Sequence, residues 1–124
     1  MTALLSIKPE FAEAIFSGKK KFEYRKNIFK KNVKKIRVYA TKPVGKIIGE
    51  FLVDEILEDT PNNLWKSTYR NSGVKKEFYM QYFQGKKIGY AIKIKEYTRY
   101  DEPQCPYKMN PKFVAPQSFM YCHE

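Results

Sequence analysis

With 124 residues, 43% of them apolar and 30% charged, the chain holds material for one domain, residues 1–124, with a core that needs no disulfide or metal staple. Lys and Arg number 24 against 13 Asp and Glu, and the resulting +11 points to a polyanionic partner. No stretch approaches the roughly 18 apolar residues of a membrane span, and residues 1–7 lack the leading basic residues of a signal peptide. A soluble, cytoplasmic protein with reduced Cys105 and Cys122 is therefore expected.

Ala3 to Ile7 is a short apolar run suited to a buried strand. Pro9 fits a first helical position, Phe11/Ile15 and Ala12/Phe16 recur one turn apart, and Gly18 caps the helix. Lys21 to Arg25 alternate, which predicts a strand with Phe22 and Tyr24 on one face and Lys21, Glu23 and Arg25 on the other. Ile36 to Thr41 reads as a half-buried strand, turned at Lys42, Pro43 and Gly45 into a long strand over Lys46 to Leu57. These two are expected to pair antiparallel, the second having one mostly wet side. Thr60-Pro61 is a cap-and-first-turn signature for a helix that Asn71, Ser72 and Gly73 end. A third helix carries Phe78/Tyr82 and Tyr79/Phe83 up to Gly85, and Ile88 to Lys95 alternates as a strand. Pro103, Pro106, Pro111 and Pro116 predict an irregular wrap from Tyr100 to Pro116, after which Ser118 to Tyr121 returns as a strand. Strands in runs with grouped helices favour an α+β fold over a βαβ wind.

The charge is concentrated. Residues 19–37 hold ten basic side chains and one acid, Glu23, for a net of +9. Within that segment, Gly18-Lys19-Lys20-Lys21-Phe22-Glu23-Tyr24-Arg25 matches G-x-K-x-x-E-x-R. A glycine that ends the helix in a left-handed turn brings Lys20 close to the strand carrying Glu23 and Arg25. A lysine, a carboxylate and a guanidinium converging on one spot supply donors for phosphate or a carbonyl and one acceptor for an amine or hydroxyl. The plainer alternative is an ion pair between Glu23 and Arg25 on a solvated face.

This motif, with Ser6-Ile7-Lys8-Pro9 before it and the blocks Val38–Thr41, Gly49–Val53, Gly89–Ile94 and Ala115–Phe119 after it, resembles the ASCH domain, a relative of the PUA domain. The resemblance implies a PUA-like, mainly antiparallel β-barrel with about three flanking helices. It also implies RNA binding, linked to translation or transcription regulation, in a cleft between the first helix and the barrel. Carried onto this chain, the RNA-binding residues are Gly18, Lys20, Lys21, Glu23 and Arg25, with Lys8 added from its position. Tyr24, Tyr39 and Tyr97 are candidates for stacking on an unpaired base. RNA is the expected partner, with DNA as a further possibility, and no cofactor or membrane is expected.

The resemblance also admits an enzyme, because some relatives hydrolyse N4-acetylcytidine and a ribonuclease activity is described in another branch. Lys20 would then be the nucleophile or base, and Glu23 would be catalytic with it. Glu23 stands where the amidohydrolases carry a threonine, and Glu77 is the nearest match for their distant glutamate. Flanking Lys19 and Lys21 would lower the Lys20 pKa by like charge. His123, the only histidine, lies at the C-terminus, which disfavours a His-based triad, and Cys105, Cys122 and His123 match no compact zinc spacing, so no metal site is expected. Neither G-x-x-x-x-G-K-[ST] nor G-x-G-x-x-G is present.

Overall fold

The computed structural model describes residues 1–122; His123 lies outside them. The elements follow the order β1 (Thr2–Ile7), α1 (Pro9–Phe16), β2 (Phe22–Arg25), β3 (Lys35–Ala40), β4 (Lys46–Asp59), α2 (Pro61–Thr68), α3 (Lys76–Tyr82), β5 (Gly89–Gln104), α4 (Pro106–Met109) and β6 (Phe119–Cys122), with a 3-10 turn at Tyr69–Asn71 after α2. All six strands form one mixed sheet in the order β2-β5-β4-β3-β1-β6. Only β1 and β3 run parallel; the other four pairings are antiparallel. The sheet is a half-barrel rather than a closed barrel, because among the described residues its edges β2 and β6 share no backbone ladder. Arg25 of β2 instead reaches across that opening to Ser118, the residue before β6.

Alternation in the sequence becomes two-sided burial. Ala3, Leu5 and Ile7 of β1 and Ile36, Val38 and Ala40 of β3 face the main core with Ala12, Ile15 and Phe16 of α1. Leu4 and Tyr39, on the opposite faces of the same strands, pack with Ile47 beneath the C-terminal wrap. A third cluster joins Phe22 and Tyr24 of β2 to Leu64 of α2, Tyr79 and Phe83 of α3 and Ala91 of β5. Thr60 caps α2 as expected, its hydroxyl accepting from the Asn63 N–H at 3.2 Å.

Three expectations change. The first part of β4 has no wet side, since Ile47 faces one cluster and Ile48 another. A bulge between Ile47 and Gly49 shifts the phase, so that Ile48 and Phe51 both reach the main core despite their spacing. The strand expected to end near Lys95 continues to Gln104. Pro103 is tolerated there because β2 pairs only with Tyr90 to Lys93, and because the ladder with β4 skips from Arg99 to Gln104. Within the expected irregular wrap, Pro106 starts the short helix α4. Cys105 and Cys122 are not joined in a disulfide.

Candidate functional site

The end of α1 sets the position of Lys20. Gly18 adopts φ +83°, the Gly18 N–H donates to Ile15 O, and the Lys19 and Lys20 N–H groups both donate to Ala14 O at 3.0 Å. The chain is thereby folded back under the helix end, and Lys20 enters the interior at 2% exposure. From the other side, the turn after α2 supports it: Nζ of Lys20 donates to Ser72 O at 3.0 Å, and Lys21 N–H donates to Asn71 O at 2.8 Å. Gly73, at φ +67°, packs so closely on Lys20 that a Cβ there would stand 2.5 Å from the lysine Cβ.

Glu23 and Arg25 follow on β2. Lys20 Nζ lies 3.7 Å from Glu23 Oε1, and Arg25 Nη1 donates to Glu23 Oε2 at 3.1 Å. Arg25 Nη2 donates to Ser118 Oγ at 2.8 Å, and its Nη1 also points at Ser6 O at 3.4 Å. Ser6 ties the same C-terminal segment, its Oγ donating to Pro116 O at 2.6 Å and its N–H to Ser118 O at 3.2 Å. The Glu23–Arg25 ion pair is real, but it lies buried at the bottom of a cavity instead of on a solvated face.

That cavity, of about 810 Å³, lies in the opening of the half-barrel. Its floor is Lys20, Glu23 and Arg25, and its sides come from Phe11 of α1, from Phe78, Tyr79, Gln81 and Tyr82 of α3, and from the Pro116–Ser118 segment. The Phe78 and Tyr82 rings stack with an interplanar angle of 13°. Exposed lysines lie over both: Lys8 Nζ is 5.2 Å from the Phe78 centroid and Lys26 Nζ is 4.6 Å from that of Tyr82. Lys20 Nζ sits 4.9 Å from the Tyr24 ring centre and 5.5 Å from that of Phe11. Burial holds the Lys20 amine below the ordinary lysine pKa, with Glu23 opposing the shift. Lys19 and Lys21, expected to cause that lowering, are exposed and play no such part. Burial also pushes the Tyr24 phenol up to about 12.

Of the six residues picked out from the sequence, Lys8, Lys20, Glu23 and Arg25 line this cavity, whereas Gly18 and Lys21 do not. Gly18 shapes the turn, and Lys21 points outward at the sheet edge. Among the stacking candidates, Tyr24 lines the wall with its hydroxyl bonded to Thr68 Oγ1 at 2.7 Å. Tyr39 is buried on the far face beside Tyr107, and Tyr97 is 45% exposed, covering Gly18 outside the cavity. Glu77 is exposed and also lies outside it. The sequence reading missed Ser6, Lys26, Phe78, Tyr82 and Ser118. The Phe78/Tyr82 pair repeats at the same interval as Tyr79/Phe83, so periodicity alone could not say which pair faces the cavity. Among the described residues, no group of three or more His, Cys, Asp or Glu is placed to hold a metal, and no helix is long and apolar enough to cross a membrane.

Comparisons with known proteins agree with this architecture. The ASCH domain profile matches residues 5–112. An ASCH domain-containing ribonuclease of Zymomonas mobilis is 34% identical over 96 residues, which cover 77% of this chain and 65% of that protein, a little under two thirds of its length. The crystal structure of ASCH from Zymomonas mobilis superposes with a TM-score of 0.91 at 29% identity, covering 99% of this chain and 88% of that one. Nearly the whole chain, 97% of it, also aligns at 32% identity with 15% of a Ureaplasma parvum protein named ATP synthase subunit alpha. The chain belongs to the ASCH domain family.

Proposed function

We propose that the protein binds RNA by admitting one unpaired nucleotide into the cavity of the half-barrel. The observation that carries this reading is the division of labour in the site: aromatic walls and a buried polar floor inside, and two exposed lysines over aromatic rings at the mouth. Aromatic faces suit any base, and Lys8 and Lys26 suit the flanking phosphates. A base held in a duplex cannot reach Glu23 at the bottom, so the substrate is single-stranded or has an extruded base. The name of the Zymomonas relative, a ribonuclease, supports RNA as the polymer.

The test is the salt dependence of binding to a labelled single-stranded RNA, with DNA of the same sequence beside it. Affinity should fall steeply with salt, and Lys26→Ala should flatten the log–log slope by roughly 0.7 to 1. A slope near zero rejects the reading.

Strand cleavage is the second reading, favoured by the lowered pKa of Lys20 and by the relative's name. A neutral amine would accept a proton from an attacking hydroxyl. Lys20→Met should then abolish cleavage in a protein that still melts cooperatively, and retained cleavage removes Lys20 from that role. Hydrolysis of N4-acetylcytidine gains no support from Glu77, which is exposed and does not line the cavity.

A further inference from the structure

We propose that Glu23 reads the base entering the cavity and selects guanine; this rests on the RNA-binding reading above. The floor is poorly suited to phosphate. Arg25 is engaged by Glu23, Ser118 and the Ser6 carbonyl, Lys20 by Glu23 and the Ser72 carbonyl, and the carboxylate itself repels an anion. The lining cations set apart from that carboxylate are Lys8 and Lys26 at the mouth. A nucleotide therefore enters base first.

What that base meets is a carboxylate held from both sides. One oxygen faces Lys20 and the other faces Arg25, so each keeps an unused lone pair and the two together present a double acceptor. The Lys20 ammonium, with one of its three donors on Ser72 O and a second toward Glu23, stands beside Oε1 with a donor to spare. The floor thus offers, in order, a donor, an acceptor and an acceptor. Guanine presents the complement on its Watson–Crick edge: the O6 acceptor, then the N1–H and N2–H donors. Adenine and cytosine place a ring-nitrogen lone pair beside their amino group, against one carboxylate oxygen. Uracil flanks its single N–H with two carbonyls. In a site this buried, an unmatched acceptor is left without water, which turns a missing donor into a discrimination rather than a mere loss of contact.

The experiment titrates the protein with short labelled oligouridine strands carrying one central guanine, adenine, cytosine, inosine or uracil. Matched bidentate recognition should make the guanine strand bind roughly 5- to 150-fold tighter than all-uridine. Inosine, which keeps N1–H and lacks the amino group, should fall between them, a readout that needs no protein variant to fold. Glu23→Gln, whose amide offers one acceptor in place of two, should lower the guanine-to-uracil ratio. Binding of all five strands within twofold of one another, or tighter binding of adenine or cytosine, overturns guanine selection and leaves RNA binding standing. Absence of binding to every strand overturns both.

Discussion

Replacing Gly73 with alanine perturbs the site without removing any of its charged groups. The residue sits at φ +67°, where an L side chain costs about 1–2 kcal/mol. The added Cβ would also stand 2.5 Å from Lys20 Cβ, 2.8 Å from its Cγ and 3.0 Å from its Cα. These atoms lie at the root of the side chain, so relief requires backbone movement and adds about 1–3 kcal/mol. Gly85 supplies the control, since it has φ +81° but nothing within 4 Å of its virtual Cβ. With an unfolding entropy near 0.26 kcal/mol/K for 124 residues, Gly73→Ala should lower Tm by about 8–19 °C and Gly85→Ala by about 4–8 °C. Calorimetric melts of both variants under one buffer condition measure the difference. If Gly73→Ala melts no lower than Gly85→Ala, the close packing of this turn on Lys20 is wrong.

Removing the Tyr24 hydroxyl with Tyr24→Phe should cost about 0.5–1.5 kcal/mol, because Thr68 Oγ1 keeps its own bond to Leu64 O at 2.6 Å. The Tyr24 phenol is held near 12 in the fold against about 10 when unfolded, so its contribution is complete below pH 10 and is lost as pH rises toward 12. The gap between wild type and Tyr24→Phe in urea titrations should therefore narrow above pH 10. Lys20 works in the opposite sense: its folded pKa lies below 10.5, so the unfolded chain binds more protons in between. Wild-type stability relative to Lys20→Met should rise with pH across that window, and a flat difference would mean that the amine is well solvated. Breaking the exposed Glu13–Arg99 pair by Glu13→Ala should change stability by less than about 1 kcal/mol, as denaturant midpoints will show.

Local signals carried far where one residue type had one available role. Pro9 and Gly18 bound α1, Thr60-Pro61 starts α2, and the alternation of Ile36, Val38 and Ala40 lands on the core face of β3. Legibility failed where a tertiary neighbour decided the outcome. Pro103 argued against a strand, yet β5 has no β2 partner at that depth, and the missing N–H costs no ladder bond. In the site, the motif placed Lys20, Glu23 and Arg25 together, because a glycine turn and a two-residue repeat are short-range geometry. The closing side came from Ser6 and Ser118, residues 112 positions apart in sequence number, and no local pattern marks serines that meet across a half-barrel opening. Charge density misled in one respect. Lys30, Lys31 and Lys34 lie exposed on the loop before β3 and do not line the cavity, while Lys8 and Lys26 stand at its mouth.

The most direct test of the central claim is heteronuclear NMR of the labelled protein titrated with a short single-stranded RNA, following side-chain and backbone signals together. Shifts should concentrate on Ser6, Glu23, Arg25, Phe78, Tyr82 and Ser118 around the cavity, leaving Lys30, Lys31 and Lys34 nearly unmoved. Shifts centred on that loop, with the cavity residues silent, would place RNA on a diffuse lysine surface and contradict the account.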